Sequence, residues 1–154
     1  MNNELIFRLA TLNDLSHIIN MLADDTLGVK REKSETPISD SYIKAFEIIT
    51  ADPKQELTIV EKNGEIVGTF QLTFIQNISH QGGLRAQVES VRTHSSYRRQ
   101  GIGVKVFEYI INRAKEKGCV LLQLTTDKQR PDAIRFYEKL GFLATHEGMK
   151  IKFG

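Results

Sequence analysis

The sequence predicts a mixed α+β (α/β) domain, a central mixed β-sheet of six to seven strands flanked by about four helices. Three observations carry that expectation. The apolar period switches between 3.6 and 2 along the chain, in the order strand, two helices, three strands, helix, strand, helix, strands. Asn63-Gly64 separates two alternating, β-branched runs, the preferred two-residue hairpin turn. Cys119 to Leu124 is nearly all apolar, as a strand covered on both faces requires. With 154 residues, the chain has room for one core, so residues 1–154 are expected to form a single domain.

Leu5 to Leu9 is short and apolar enough for the first strand. Thr11 opens the first helix and Asp14 completes a capping-box-like pair. Leu12, Leu15, Ile18, Ile19 and Leu22 then give it one buried face. Asp24 and Asp25 stand at the helix end that disfavours negative charge, and are read as solvated carboxylates. Gly28 to Pro37 is polar and charged, an exposed loop. Ser39 caps a second helix carrying Tyr42, Ala45, Phe46 and Ile49, which ends before Pro53. Strands are predicted over Gln55 to Lys62 and Glu65 to Phe74, with Ile66, Phe70, Leu72 and Phe74 on one face across Gly68. A loop from Asn77 to Gly83 precedes a fourth strand, roughly Arg85 to Val91. Gly101 to Lys117 reads as a helix burying Val106, Phe107, Ile110, Ile111 and Ala114, ended by Gly118. Pro131 to Leu140 suits a last helix, with Pro131 in its first turn and Gly141 after its end. Phe142 to Phe153 is expected to supply one or two closing strands around Gly148.

Composition excludes several classes of function. Lys and Arg total 21 against 19 Asp and Glu, a balance that rules out coating nucleic acid or membrane by bulk charge. Any phosphate affinity must be local. The single cysteine, Cys119, forbids an internal disulfide and a cysteine-rich zinc site; at the start of a buried strand it reads as inert packing. His17, His80 and His146 lack ligand spacing and His94 falls in a loop, so no metal site is expected. No apolar run approaches the ~20 residues of a membrane span, and Glu4 interrupts the N-terminus where a signal would lie, so a cytoplasmic protein is expected.

The chemistry concentrates between Val88 and Gly103. A strand leads through a polar connection into Gly101-Ile102-Gly103, which opens an amphipathic helix. A helix N-terminus offers free N–H groups and a positive dipole end, and a glycine entry lets an anion approach the main chain. Arg98 and Arg99 add charge beside it. A dinucleotide fingerprint would want a third glycine where Val106 stands, and a Walker A loop a Lys where Val104 stands. Taken alone, Gly-x-Gly reads equally as a glycine turn with solvated arginines.

Arg98-x-x-Gly101-x-Gly103 after a strand and loop resembles the acyl-CoA pyrophosphate signature of the GNAT superfamily of N-acetyltransferases. Ala133-Ile134-Arg135-Phe136-Tyr137-Glu138-Lys139-Leu140-Gly141-Phe142 resembles that superfamily's Ala-x-x-Phe-Tyr-x-x-x-Gly-Phe segment, and Arg8 to Leu15 its first strand–helix junction. The likeness is strong from about Ala86 to Phe142, and the order of elements fits nearly the whole chain.

That resemblance implies a splayed sheet, with acetyl-CoA wedged between the fourth and fifth strands. Val91, Arg92 and Thr93 would bond its pantetheine arm like an added strand. Arg99, Gln100, Gly101, Ile102, Gly103 and Val104, with Arg98, would hold the pyrophosphate, and Ala133 and Phe136 would line the cofactor site. Many relatives carry Asn where this chain has Arg130, which is left to reach a phosphate, the acceptor or solvent.

The implied reaction is direct acetyl transfer to a primary amine of a small molecule or protein, through a tetrahedral intermediate. A base must take the amine proton, an N–H near Val91 must hold the oxyanion, and an acid must protonate the leaving thiolate. Glu89 is the expected base, directly or through water; otherwise it is a solvated sheet carboxylate. Tyr137 is the expected acid; otherwise its ring merely packs with Phe136. Alternation places Gln87, Glu89 and Val91 on one face of the strand, with Val88 and Ser90 on the other. A non-catalytic acyl-CoA sensor would keep the glycines without needing the acid or base, and a nucleotide-binding cradle is a third reading. The acceptor is left to the loops Leu27 to Ile38 and Ile75 to Leu84, and a homodimer is compatible with the resemblance.

Overall fold

Residues 4–154 are described in a computed structural model. Their contacts separate them into two compact units, one ending at Gln123 and the other covering Leu124–Gly154. The first unit holds β1 (Leu5–Leu9), α1 (Leu15–Ala23), α2 (Gly28–Arg31), α3 (Asp40–Ala51), β2 (Gln55–Lys62) and β3 (Glu65–Gln76). It continues with a single-turn α4 (Ser79–Gly82), β4 (Leu84–Thr93), α5 (Ile102–Glu116) and β5 (Leu121–Gln123). The second holds α6 (Pro131–Lys139).

The strands lie in sequence order in one sheet. β1 to β4 are antiparallel, and β4 with β5 is parallel. The hairpin turn behaves as its residues require: Asn63 and Gly64 both take positive φ, 51° and 79°. One face of the sheet packs beneath α1 and α3, where Ala10, Leu15, Ile18, Ile19, Phe46 and Ile59 form a buried cluster. The other packs against α5. Phe70, Leu72, Phe107 and Ile110 are fully buried, each contributing roughly 1.5–3 kcal/mol. Tyr109 of α5 stacks on Phe7 with ring centroids 4.0 Å apart, and Arg113 forks onto Glu56 at 3.0 and 2.6 Å.

Arg8 and Asp14 pin the start of α1. Two guanidinium nitrogens of Arg8 donate to the Asp14 carboxylate at 2.7 and 2.9 Å, and Thr11 N–H donates to it at 2.7 Å. These bonds, Arg8's foremost, hold the buried carboxyl down to about 2.

Two β-bulges correct the simple alternation. Between β2 and β3 the register shifts from Val60 opposite Gly68 to Glu61 opposite Ile66. The extra residue turns Ile66 to the α1–α3 side, where it packs against the buried cluster, rather than beside Phe70, Leu72 and Phe74. The second bulge lies in β4 and belongs to the site.

The sheet has five strands among the described residues, not six or seven, because no residue of 142–153 joins a ladder. Leu143, Met149, Ile151 and Phe153 there are exposed. Alternation suits a segment to pairing, but a strand exists only when a neighbour accepts its hydrogen bonds. The expected run Cys119 to Leu124 likewise pairs only over Leu121–Gln123. The stretch Gly28 to Pro37 is not all loop: Asp25 accepts from Leu27 and Gly28 N–H groups and starts α2. Gly28 is required there by contact, since a Cβ would meet the Leu22 carbonyl oxygen at 1.9 Å.

Candidate active site

The site grows out of an irregularity in β4. Thr69 of β3 faces Arg92, whereas Gln71 faces Glu89, so two residues of β4, Ser90 and Val91, oppose Phe70 alone. Ser90 accommodates the bulge with a φ of 56°. Glu89 therefore shares its sheet face with Gln87 and Arg92. Val91 drops out of the expected set, because one inserted residue reverses the alternation beyond it.

β4 also loses its neighbour at this point. It pairs with β5 only through Arg85, Ala86 and Gln87, and the Gln123 side chain donates to that of Gln87 at 2.9 Å where the pairing stops. His94 N–H donates to Val67 O at 2.8 Å, toward β3. By alternation Arg92 also faces β3, leaving the peptide groups of Val91 and Thr93 on the edge β5 has left. An extended acyl chain can add to such an edge.

The free edge leads into the N-terminus of α5. His94 caps the intervening turn, its Nδ1 accepting from Ser96 N–H at 3.1 Å. Arg99 and Gly101 both take left-handed backbone, φ 63° and 75°, which turns successive N–H groups toward one side. The first bond within α5 runs from Lys105 N–H to Gly101 O, so the N–H groups of Ile102, Gly103 and Val104 have no intrahelical acceptor. A Cβ on Gly101 would meet nothing within 4 Å. The cradle is open above it, and glycine is needed there for its φ. These features fit a diphosphate with an extended arm, which the peptide groups of Val91 and Thr93 and of residues 98–104 would hold; the peptide of Arg92, expected to join them, faces β3 instead.

Of the two carboxylates at the end of α1 read in sequence as solvated, Asp25 instead braces this region, while that of Asp24 stays half-exposed. Asp25 Oδ2 lies 3.3 Å from Arg92 Nε, and Arg92 Nη1 donates to Val91 O at 3.0 Å. Arg98 donates to the Asp24 carbonyl at 3.1 Å and lies 3.6 Å from its carboxylate. Tyr97 donates to Glu65. Nothing in the local sequence marks these pairs, because α1 and β4 are about 65 residues apart and meet only in the fold.

Glu89 is exposed on the α1–α3 side of β4. Beside it, Gln71 and Ser90 line a cavity of about 100 Å³ reaching between α1 and α3. Thus Glu89, Val91, Arg92, Thr93, Arg98, Arg99, Gln100, Gly101, Ile102, Gly103 and Val104 lie on one continuous β4–α5 passage.

Tyr137, Phe136, Ala133 and Arg130 belong to the second unit. Arg130 stands at the residue before α6 and Pro131 occupies its first turn. Tyr137 meets Phe136 and Phe142 edge to face, centroids 5.6 and 5.9 Å apart, and Ala133, Phe136 and Tyr137 are all half-buried. His17 and His94 are exposed, as their positions suggest. Burial raises the Cys119 thiol, against a smaller opposing effect of Lys117. Among the described residues no group of three His, Cys, Asp or Glu is placed to hold a metal, and no helix is long and apolar enough to cross a membrane.

Residues 17–142 match the model of the acetyltransferase (GNAT) family. The chain is 27% identical over 95 residues to an aminoalkylphosphonate N-acetyltransferase of Salmonella typhimurium; the match covers 62% of this chain and 61% of that one, less than two thirds of its length. It is 29% identical to a glucosamine 6-phosphate N-acetyltransferase of Trypanosoma brucei brucei, over 66% of this chain and 71% of the other. Among solved structures, a transcriptional regulator from Bacillus halodurans C-125 superimposes with a TM-score of 0.94 and 53% identity, over 97% of this chain and 100% of its own.

Proposed function

The chain belongs to the acetyltransferase (GNAT) family, and on that premise we propose that it transfers the acetyl group of acetyl-CoA to a primary amine. The observation that carries the reading is the free edge of β4 running directly into the open N-terminus of α5. The family match spans residues 17–142, and the reading takes 1–154 as one acting domain working in the cytoplasm.

Each residue then has a task. The N–H groups from Gln100 to Val104 bind the diphosphate, with Arg98 and Arg99 adding charge. Val91 and Thr93 bond the pantetheine arm, and Val91 N–H stabilises negative charge developing on the acetyl oxygen. Glu89 takes a proton from the amine, directly or through water, so that nitrogen attacks the thioester carbon with its lone pair. The N–C bond forms first, giving a tetrahedral oxyanion; its collapse breaks the C–S bond, and Tyr137 protonates the departing sulfur. Ala133 and Phe136 back Tyr137 on α6, and Arg130 lies at that helix's entry. Acetyl-CoA supplies the activated acyl group.

The test incubates the protein with acetyl-CoA and a panel of amines, following free thiol and the product mass. Amine-dependent thiol release supports the reading; none on any amine, with acetyl-CoA bound, refutes it. That second outcome would favour a non-catalytic acyl-CoA sensor, a reading to which the regulator from Bacillus halodurans lends weight by its name.

A further inference from the structure

We propose that the acceptor presents a short apolar group, and not a phosphate or phosphonate, to the cavity between α1 and α3. The inference rests on the acetyl-transfer reading and names the substrate class of that site. The cavity is walled by Leu22, Phe46, Ile49 and Leu57, and none of its lining side chains carries a charge. Its polar lining includes Gln71 and Ser90. Ser90 is the bulge residue between Glu89 and Val91, and Gln71 lies directly opposite Glu89. An amine held at Glu89 therefore has its substituent beside an apolar cleft.

Charge decides against an anionic substituent. The cation nearest along β4, Arg92, is engaged by Asp25 and by Val91 O, and Arg8, on the same sheet face, is engaged by Asp14 and Glu61. A dianion pushed between α1 and α3 would lose its water and meet no charged lining side chain. Alkyl carbons lose nothing there and leave water favourably. This separates the chain from the two N-acetyltransferases it resembles, whose named acceptors carry phosphonate or phosphate. A cavity of about 100 Å³ takes three or four groups of water size, at ~30 Å³ each.

The experiment measures kcat/KM of the full chain with acetyl-CoA for n-alkylamines from methylamine to hexylamine, and for 2-aminoethylphosphonate. The alkylamines share one basicity, so chain length is the variable. The expected result is a rise of about fourfold per carbon, levelling near butylamine, with butylamine at least tenfold better than the phosphonate. Ala45, which lines the cleft from the exposed side of α3, offers a second arm: Ala45→Phe fills the cleft and flattens the chain-length dependence, with thermal melting as the control for folding. A flat series in the unmodified protein, or a phosphonate that outruns butylamine, overturns the inference while leaving acetyl transfer standing. If no amine in the series or in the wider panel is acetylated, the acetyl-transfer reading falls, and this one with it.

Discussion

Glu89 and Tyr137 carry the two proton transfers of the proposed reaction, and their surroundings allow clean tests. Glu89 is exposed on its strand, so Glu89→Gln leaves folding intact and lowers kcat/KM by about 100-fold, the usual scale of a lost general base; steady-state kinetics beside a melting curve separate the two. Tyr137→Phe keeps the ring contacts with Phe136 and Phe142. It lowers kcat by roughly 10- to 100-fold with KM for acetyl-CoA unchanged, and undiminished turnover would remove Tyr137 from the mechanism. Gly101→Val forces a side chain into φ 75° and into the open space of the cradle. The expected cost is about 1–2 kcal/mol of stability and at least a tenfold loss of CoA affinity by calorimetry. Asp14 sets a pH dependence of stability. Its carboxyl lies at about 2 in the fold against 3.8 ordinarily, so the unfolded chain binds the proton more tightly. The stabilisation, about 2 kcal/mol, is complete above pH 5 and lost as pH falls through 3.8 toward 2. Asp14→Asn removes it at pH 7 and makes a much smaller difference at pH 2, where the folded carboxyl is about half protonated, which urea titrations at both pH values check.

At the scale of elements, the bulge in β4 organises the site. It puts Arg92 on the face of Glu89 and turns the peptide of Val91 to the open edge. Ser90 adopts left-handed backbone there, so Ser90→Gly, which relieves that conformation at some entropic cost, changes stability by less than about 1 kcal/mol and keeps activity. Ser90→Val costs more than about 1 kcal/mol and lowers kcat by disturbing the register. Regular elements were legible in sequence to within a residue or two, because period and caps are local: β2 over Gln55–Lys62, the Asn63-Gly64 turn, and α5 ending before Gly118. The bulges were not. Neither Ser90 nor Val67 is a glycine, and alternation assumes the regularity that a bulge breaks.

At the scale of the whole molecule, the proposed cradle makes stability answer to its ligand. Acetyl-CoA at 100 times its Kd stabilises a protein by about 2.7 kcal/mol, about 5–10 °C in Tm for a chain of this size. A melting series against acetyl-CoA checks it, and ATP without CoA should give a smaller shift. The sequence by itself determined the order of the strands and longer helices from β1 to α6, the glycines that admit left-handed backbone at the α5 entry, and the Phe-Tyr segment of α6. Those follow from interactions within a few residues. Only the tertiary structure decided which carboxylate braces the cradle, where β4 parts from β5, that residues 142–153 join no ladder, and that an uncharged cleft lies beside Glu89. Each of these depends on segments distant in the chain, whose meeting depends on packing and hydrogen-bond partners that no local pattern encodes.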